Sequence, residues 1–332
     1  MIKVAINGFG RIGRMALRKL IHNAEVQVVA INDLSSPKML AYLFKYDSIQ
    51  GVFAEDVSSN EEALRIQGQT IPVFAERNPE DLPWQKLDVD VVLECTGIFE
   101  TKEKASLHLK AGAKKVVISA PSDKDVKAIV YHVNHSTLTK DDMLISAASC
   151  TTNCLALLAD ILHKEYGIVS GQMSTIHAYT NSQPLMDVPD PKNGFRKSRA
   201  AADSIIPYTT GAAKTIGLVI PALAGKLDGS SQRVPVHSGS VVELYTLLEK
   251  DTTTQEINEL MKKHANESFG YTQEELVSSD IVGCNFGSLF DATQTNVVGA
   301  PGRQLVKTVA WYDNEMSFVS QMIRTLLYFA KI

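Results

Sequence analysis

The chain has 332 residues, of which 45% are apolar and 21% charged, and its formal net charge is −4. This length predicts about two domains of the usual ~100–200 residues each, in an ordinary globular protein. The weak acidity argues against nucleic acid or a membrane surface as the main partner, and no apolar run approaches the ~20 residues that span a bilayer. Four cysteines are too few for a disulfide framework, and the sequence starts in a strand-like MIKVAIN without a signal-peptide pattern, so we expect a reducing, cytoplasmic location.

A glycine-rich turn near the start of the chain joins a strand to a helix. Residues 3–7 (KVAIN) form a short apolar strand, and Gly8, Gly10 and Gly13 follow at once in the pattern Gly-x-Gly-x-x-Gly. A helical periodicity begins at Ile12. Strand before and helix after are the context in which this pattern predicts a dinucleotide site, because the glycines let the backbone approach a pyrophosphate at the helix N-terminus.

The second strand, 26–32 (VQVVAIN), ends at Asp33. A carboxylate about 20 residues after the glycines fits the ribose hydroxyls of the cofactor and would repel the extra phosphate of NADP, so the sequence favours NAD. The alternative is that Asp33 only caps the turn before Pro37.

Strands and helices continue to alternate through the first half, which predicts a doubly wound parallel sheet of Rossmann type with ligands at the carboxyl ends of its strands. Ser119 ends one predicted strand and Thr96 follows another, so both lie at such ends. Arg77 is either an adenine contact or a plain surface charge. The predicted strands are 70–74, 89–93 and 116–119, and the predicted helices are 37–46 and 101–110.

Cys150 follows a strand (142–147, DMLISA) and begins a helix that runs to Gly167. Ser149 is a good N-cap, so Cys150 lies where unpaired backbone N–H groups and the helix dipole favour a thiolate and stabilise an oxyanion. The residues alone leave two interpretations open, since Cys150 could also be a small core residue at a crowded turn. Cys154, one turn deeper, is predicted to be core.

The second half has long strands and few helices, which predicts a mostly antiparallel sheet with helices on one face. His177 lies on the strand 171–179, and Arg233 ends a short strand at 232–235. A long irregular loop, 180–199, carries Arg196, Lys197 and Arg199, either for phosphate or as a solvated basic loop. Thr210 and Gly211 precede a helix, which suits anion binding or simple capping. The remaining elements are strands at 240–249 and 304–312, a helix at 254–268 and a closing helix to about residue 331.

Together these motifs resemble phosphorylating, NAD-dependent glyceraldehyde-3-phosphate dehydrogenase, and the resemblance covers essentially the whole chain. The motifs that carry it are INGFGRIGR at 6–14, ASCTTNCLA at 148–156, TIHAYTN at 175–181, IIPYTTGAAK at 205–214, RVP at 233–235 and WYDNE at 311–315. The resemblance implies a dinucleotide-binding domain at 1–149, completed by a closing helix at 315–332, and a catalytic and tetramerisation domain at 150–314 of a homotetramer.

The resemblance also assigns roles by position. Cys150 matches the nucleophile and His177 its base. Cofactor contacts are implied for Gly8, Gly10, Arg11, Ile12, Asp33, Arg77, Ser119 and Asn314, of which Asn314 holds the nicotinamide carboxamide. Phosphate contacts are implied for Ser149, Thr151, Thr180, Arg196, Thr210, Gly211 and Arg233, with Arg199 as the alternative to Arg196. No metal is implied.

The implied reaction is glycolytic. D-Glyceraldehyde 3-phosphate is oxidised with NAD and inorganic phosphate to 1,3-bisphosphoglycerate, through a hemithioacetal and a thioester on Cys150. The alternatives are erythrose-4-phosphate dehydrogenase or another phosphorylating aldehyde dehydrogenase of the same fold. A nucleotide-binding protein without turnover and a cysteine hydrolase explain fewer of the motifs.

Overall fold

A computed structural model of the protein describes residues 1–190 and 194–332. The chain divides into two compact units. The first comprises Met1–Ile129, His135–Ala148 and Met322–Ile332, and the second comprises Val130–Asn134 and Ser149–Gln321.

A nine-stranded sheet forms the first unit. Its strands are β1 (Ile2–Asn7), β2 (Val26–Asn32), β3 (Val57–Ser59), β4 (Ala63–Ile66), β5 (Gln69–Phe74), β6 (Val91–Glu94), β7 (Lys115–Ile118), β8 (Lys127–Ala128) and β9 (Leu144–Ser146). Its helices are α1 (Arg11–Leu20), α2 (Pro37–Lys45), α3 (Trp84–Leu87), α4 (Lys102–Ala105) and α5 (Leu107–Lys110).

The strand order in this sheet is β3-β4-β5-β2-β1-β6-β7-β9-β8. From β5 to β8 all neighbours are parallel, and their order reverses between β1 and β6, which is the switch point where doubly wound sheets bind ligands. The predicted Rossmann-type sheet is therefore confirmed. The antiparallel strands β3 and β4 were not predicted, because the segment 57–66 has no clean alternation of apolar and polar residues.

The predicted helix 101–110 is interrupted. Ser106 ends α4 and begins α5, and its hydroxyl donates to the carbonyl of Lys102 at 2.6 Å. A serine hydroxyl that bonds back to its own helix weakens the helical ladder, which accounts for the break.

The second unit carries an eight-stranded sheet in the order β11-β12-β10-β13-β17-β15-β14, with β16 on β17. Its elements are α6 (Cys150–Tyr166), β10 (Ile168–Ala178), β11 (Ile206–Tyr208), α7 (Ala212–Val219), β12 (Leu227–Val234), β13 (Ser240–Leu248), α8 (Thr254–Lys263), β14 (Phe269–Thr272), β15 (Ser288–Asp291), β16 (Asn296–Val298) and β17 (Leu305–Tyr312). The last helix, α9 (Met316–Lys331), starts in this unit and ends in the first.

Most strand pairs of this sheet are antiparallel, as predicted, but β10 with β12 and β14 with β15 are parallel. The parallel pair β10–β12 sets His177 beside Arg233 in register. The predicted helix at 254–268 ends earlier, at Lys263, because the Asn266 carboxamide accepts from the backbone N–H groups of Ser268 and Phe269 and turns the chain into β14.

Helix α6 positions the main site. It begins at Cys150 and ends before Gly167, as predicted, and Leu155, Leu158 and Leu162 on it are fully buried. Because the helix body is fixed in the core, its first turn is held rigidly. Within residues 1–190 and 194–332, no helix is long and apolar enough to cross a membrane.

Candidate active site

Cys150 is the first residue of α6. The Ser149 hydroxyl accepts from the backbone N–H of Thr152 at 3.0 Å, and the Asn153 carboxamide donates to the Ser149 carbonyl at 2.9 Å. Ala148, with φ of +58°, makes the sharp turn from β9 into the helix. The helix start is thus capped, and the Cys150 side chain is half-buried at its end.

His177 faces this thiol. Its Nε2 lies 3.4 Å from Cys150 Sγ, and its Nδ1 lies 2.7 Å from the carbonyl oxygen of Ala178. A carbonyl can only accept, whereas the Arg233 guanidinium, 3.0 Å from the same nitrogen, can only donate. Because the carbonyl contact is the shorter one and Arg233 can donate to that carbonyl instead, we assign the proton to Nδ1, which donates to Ala178. The Nε2 lone pair is then directed at Cys150 Sγ, which is the arrangement of a general base beside a nucleophile.

Arg233 completes the group. One of its Nη atoms donates to the Ala178 carbonyl at 3.0 Å and lies 3.0 Å from His177 Nδ1. The residue owes this place to the parallel pairing of β12 with β10. A guanidinium beside the thiol and the imidazole can receive an anionic substrate.

Burial opposes separate ionisation of the two reactive groups. It raises the pKa of the Cys150 thiol, although the charge of Arg233 and the backbone N–H groups of Thr151 and Cys150 at the helix start act in the other direction. It lowers the pKa of His177 to about 3, and the charge of Arg233 adds to this effect. The helix start therefore favours the thiolate as expected, but by less than burial disfavours it. Charge can form at low cost only by moving the proton from Sγ to Nε2, which creates both charges side by side.

Tyr312 is a part of the site that the sequence did not reveal. This fully buried tyrosine packs its ring edge-on to His177, with 5.8 Å between ring centroids. Its hydroxyl lies 2.9 Å from Thr151 Oγ1 and 2.8 Å from Thr175 Oγ1. The WYDNE motif contained the signal, but sequence alone gave Tyr312 no role.

The hydrogen bonds among these three hydroxyls have one possible donor–acceptor direction. Thr175 donates to the Val241 carbonyl at 3.0 Å, so it accepts from Tyr312, and Tyr312 in turn accepts from Thr151. The proton of the Thr151 hydroxyl is thus committed to Tyr312.

The other predicted phosphate residues lie in the same unit, but no hydrogen bond among the described residues joins their side chains to this group. Thr180 Oγ1 lies 3.0 Å from Ser182 Oγ, and Thr210 accepts from the backbone N–H of Ala212 and so caps α7. Gly211 is exposed just before that helix.

The cations of the long loop differ in their surroundings. Arg199 forms an ion pair with Asp187 at 2.9 Å, and Arg196 is exposed. Lys197 instead lies over the Tyr208 ring, with Nζ 4.4 Å from its centroid, and Arg233 Cζ lies 4.9 Å from the same centroid. A cavity of about 500 Å³ borders this region. Among the described cations of the loop, Lys197 is therefore the one that shares a ring with Arg233, whereas the sequence favoured Arg196.

In the first unit, the glycine turn follows β1 at the switch point. Gly8 has φ of +89°, and a Cβ there would lie 2.7 Å from the backbone nitrogen of Thr96. Helix α1 starts at Arg11 after Gly10, without a side-chain cap, so its first N–H groups are available to an anion. These features fit the pyrophosphate of a dinucleotide.

Asp33 is tied to that turn. Its Oδ2 accepts from the backbone N–H of Phe9 at 2.8 Å and its Oδ1 from that of Ser35 at 2.9 Å. Arg11 forms an ion pair with the buried Asp47. Ile12 and Ser119 are half-buried, and Arg77 is exposed. Ser119 directly follows the carboxyl end of β7, and Arg77 lies three residues after that of β5.

Asn314, predicted to hold the nicotinamide, lies in the second unit and is 7% exposed. Its Oδ1 accepts from the hydroxyl of Ser240 at 3.2 Å. Because Ser240 accepts from the backbone N–H of Ala178, its only proton points to Asn314, which leaves the carboxamide nitrogen of Asn314 to donate elsewhere.

A doubly wound sheet with a dinucleotide cradle, together with a thiol–imidazole pair at a helix start, defines the class of this protein as an oxidoreductase that works through a cysteine. Comparisons with known proteins specify the family. Residues 2–102 match the family described as glyceraldehyde 3-phosphate dehydrogenase, NAD binding domain, and residues 149–314 match its C-terminal domain.

Curated relatives agree over the full length. The chain is 60% identical to glyceraldehyde-3-phosphate dehydrogenase of Clostridium pasteurianum over 332 residues, which is 100% of this chain and 99% of the relative. It is 59% identical over 332 residues to that of Clostridium acetobutylicum and 55% identical over 333 residues to that of Streptococcus pyogenes, with 100% of this chain and 99% of each relative covered. The chain belongs to the glyceraldehyde-3-phosphate dehydrogenase family and is an NAD-dependent oxidoreductase.

Proposed function

We propose that the protein oxidises D-glyceraldehyde 3-phosphate with NAD and inorganic phosphate to 1,3-bisphosphoglycerate, as a glycolytic enzyme. The observation that carries this proposal is the 3.4 Å approach of His177 Nε2 to Cys150 Sγ at the start of α6. Family membership supports the substrate and the acceptor.

In the first step Cys150 Sγ adds to the aldehyde carbon while its proton moves to His177 Nε2. The product is a tetrahedral hemithioacetal. Its oxygen is stabilised by the backbone N–H of Cys150 at the helix start and by the imidazole. The bond from Nδ1 to the Ala178 carbonyl keeps the ring in position and in the correct tautomer throughout.

His177 Nε2 returns its proton to the adduct oxygen, which completes the hemithioacetal, and then removes this hydroxyl proton again in the oxidation step. NAD, when bound, supplies the hydride acceptor for the carbon that this deprotonation activates. The resulting thioester on Cys150 preserves the free energy of oxidation. Inorganic phosphate attacks its acyl carbon, the C–S bond breaks, and the Cys150 thiolate leaves and takes back the proton from His177, which releases an acyl phosphate.

Two anion sites are needed. We assign the phosphate of the substrate to Thr180 and Arg233, and the inorganic phosphate to Ser149, Thr151, Thr210, Gly211 and a loop cation. Since the Thr151 hydroxyl donates to Tyr312, we assign its backbone N–H, rather than its hydroxyl, to phosphate. Arg196 remains the predicted loop cation, and the position of Lys197 over the Tyr208 ring makes it the second candidate.

We assign the cofactor residues from family membership and from their places around the glycine turn and the strand ends. Gly8, Gly10, Arg11 and Ile12 surround the pyrophosphate, Asp33 binds the ribose, Arg77 lies by the adenine, and Ser119 and Asn314 serve the nicotinamide half. We propose that the dinucleotide-binding domain spans 1–149 and 315–332, a range that contains the whole first unit, and that 150–314 is the catalytic domain.

A homotetramer and a cytoplasmic location also belong to the proposal. The long loop exposes apolar side chains that assembly would bury, among them Phe195 at 97% exposure and Leu185 at 73%. The four cysteines are free thiols, as expected in a reducing compartment. Sedimentation equilibrium tests the assembly, and a monomer at micromolar concentration would refute it.

The reaction is tested by NADH formation from glyceraldehyde 3-phosphate and NAD, with and without inorganic phosphate. We expect sustained turnover only with phosphate. Sustained turnover without phosphate would make water the acceptor and would remove the phosphate assignments. Faster turnover of erythrose 4-phosphate than of the triose would select the alternative substrate.

The loop cation is tested by comparing Arg196→Met, Lys197→Met and Arg199→Met. The variant that lacks the true phosphate ligand should raise the KM for inorganic phosphate by about tenfold or more. The Arg199 variant, whose cation is already paired with Asp187, is the matched control. Equal KM values in all three would place the anion site away from this loop.

A further inference from the structure

A buried polar network lies behind the cofactor edge of the first unit, and the proposed reaction makes no use of it. At its centre are the carboxylate of Glu94, which is 1% exposed, and the imidazole of His108, which is fully buried. Glu94 Oε2 and His108 Nε2 are 2.9 Å apart. A carboxylate, a histidine and a buried partner superficially resemble a catalytic group, so the role of these residues needs an explanation.

The protonation of His108 follows from its other neighbour. The indole N–H of Trp84 lies 3.0 Å from His108 Nδ1 and can only donate. His108 Nδ1 must therefore accept, so its proton is on Nε2 and is donated to Glu94. Both ring nitrogens are permanently occupied, and no lone pair is left for proton transfer.

A row of side-chain amides next to Glu94 also has a fixed orientation. Asn7 Nδ2 donates to Glu94 Oε2 at 2.6 Å, because the carboxylate only accepts. The Asn7 carbonyl oxygen then accepts from Asn32 Nδ2 at 2.7 Å, and Asn32 Oδ1 accepts from the backbone N–H of Glu76 at 2.9 Å. On the other side, Glu94 Oε1 accepts from the backbone N–H of Thr96 at 2.7 Å and also from the Thr96 hydroxyl. The Asn32 carboxamide also donates to the Glu76 carbonyl at 2.9 Å, so it bonds both backbone groups of Glu76. Every hydrogen bond that reaches Glu94 is donated to its carboxylate.

The residues of this row are next to cofactor residues in the sequence. Asn7, Asn32 and Glu76 each precede, by one residue, a position assigned to the cofactor: Gly8, Asp33 and Arg77. Thr96 forms the opposite wall of the turn, since its backbone nitrogen is the atom that a Cβ on Gly8 would meet at 2.7 Å. The network therefore joins the ends of β1, β2 and β6 and the loop after β5 directly behind the cradle.

We propose that Glu94 and His108, with Asn7 and Asn32, are positioning residues that fix the dinucleotide cradle in its binding geometry. The cradle must present several N–H groups and a carboxylate to one ligand at once. A network in which each donor and acceptor has a fixed partner holds the segments that carry these groups in register. The inference rests on the proposed binding of a dinucleotide at this edge, but not on the reaction at Cys150.

If Glu94 is a positioning residue, its loss weakens cofactor binding, whereas electrostatics alone predicts that removing its charge strengthens binding. A buried carboxylate close to a pyrophosphate site repels the ligand, so neutralising it would tighten binding if charge dominated. Glu94→Gln preserves the shape but sets an NH₂ group against donors, whichever way the amide is turned. If positioning dominates, Asn7 or Thr96 must shift, and binding weakens.

The test is calorimetric binding of NAD, ADP-ribose and nicotinamide mononucleotide to wild type and Glu94→Gln, with Glu103→Gln as control for an exposed charge outside the network. We expect Glu94→Gln to weaken NAD and ADP-ribose by about tenfold or more, and to change nicotinamide mononucleotide little. The kcat at saturating NAD and the alkylation rate of Cys150 without cofactor should stay within about twofold of wild type, because correctly bound cofactor restores the cradle.

Unchanged or tighter binding of ADP-ribose to Glu94→Gln would overturn the proposal, as would an equal loss for all three ligands. If that variant does not fold, Trp84→Phe removes only the outer donor without a change of charge. It should weaken ADP-ribose by about twofold to fivefold, and no weakening would equally refute the inference. Failure of the proposed function would show separately, as wild-type protein that binds ADP-ribose but forms no NADH from the triose.

Discussion

The two units each bury one histidine beside a functional group, and the two histidines have opposite chemical characters. His108 in the first unit accepts from an indole and donates to a carboxylate, so both ring nitrogens are satisfied. His177 in the second unit donates to a carbonyl with one nitrogen and presents the other to a thiol at 3.4 Å. Burial is nearly complete in both cases. Reactivity is decided by what the second nitrogen faces.

This contrast separates binding from chemistry. A fully satisfied network cannot change its protonation without losing hydrogen bonds, so it suits a rigid cradle. The pair in the second unit is the reverse: burial disfavours each charge alone, and a proton shift between Sγ and Nε2 is the route by which charge appears. Substitutions at the thiol–imidazole pair should therefore affect turnover, and those in the Glu94 network should affect cofactor binding.

The largest effect is expected from removing the nucleophile. Cys150→Ser should lower NADH formation by at least about 10³-fold, because an alcohol at this position is a far poorer nucleophile than a thiolate. The Kd for NAD should stay near the wild-type value. Turnover that survives the change would eliminate Cys150 as the attacking group, and lost NAD binding would contradict the separation of the two regions.

Removing the base should come next. His177→Asn should lower kcat by about 10²- to 10³-fold, since general base catalysis is lost. Burial still raises the pKa of the Cys150 thiol, and no neighbour is left to take its proton, so the thiolate fraction at neutral pH falls. The pH profile of Cys150 alkylation by iodoacetamide should therefore move to higher pH. A profile that coincides with the wild type would show that the two groups are not coupled.

A change confined to the first unit should alter cofactor choice. Asp33→Ala removes the carboxylate that would repel the extra phosphate of NADP, and the ratio of kcat/KM for NADP over NAD should rise by about tenfold or more. Alkylation of Cys150 in the absence of cofactor serves as the control and should not change. If the ratio stays constant, the role of Asp33 is limited to its hydrogen bonds with Phe9 and Ser35.

The smallest effect is expected at Tyr312. Tyr312→Phe keeps the ring against His177 but leaves the hydroxyls of Thr151 and Thr175 without their partner, which should cost about 1–2 kcal/mol of unfolding free energy. The freed Thr151 hydroxyl can then donate to phosphate, so the KM for inorganic phosphate should fall or stay constant. Tyr271→Phe, at a half-buried position on β14, is the control for loss of a phenol. A raised KM for phosphate would contradict the assignment of Thr151 as the donor to Tyr312.

Local patterns in the sequence predicted a large part of this account. The glycine turn, the strand ending at Asp33 and the capped helix start at Cys150 are each encoded within about ten consecutive residues. The Rossmann-type sheet follows from the regular alternation of such segments.

The features that were missed depend on contacts between distant segments. Arg233 comes to lie beside His177 only because β12 pairs in parallel with β10, and the prediction of a mostly antiparallel sheet gave no reason to expect that. Lys197 is distinguished from Arg196 only by the Tyr208 ring, which lies on another strand. Burial raises the pKa of Cys150 and lowers that of His177, and the residues next to each in the sequence do not indicate how deeply it is buried. The Glu94 network joins residues up to 101 positions apart.

The central claim is that Cys150 carries the acyl group between oxidation and phosphorylation. The most direct test mixes the protein with glyceraldehyde 3-phosphate and NAD in phosphate-free buffer, records NADH, and locates the acyl adduct by mass spectrometry after acid quenching. We predict a burst of about one NADH per active site and an acyl group on the peptide that contains Cys150. A steady rate without a burst, or a burst with an unmodified Cys150, would contradict the account.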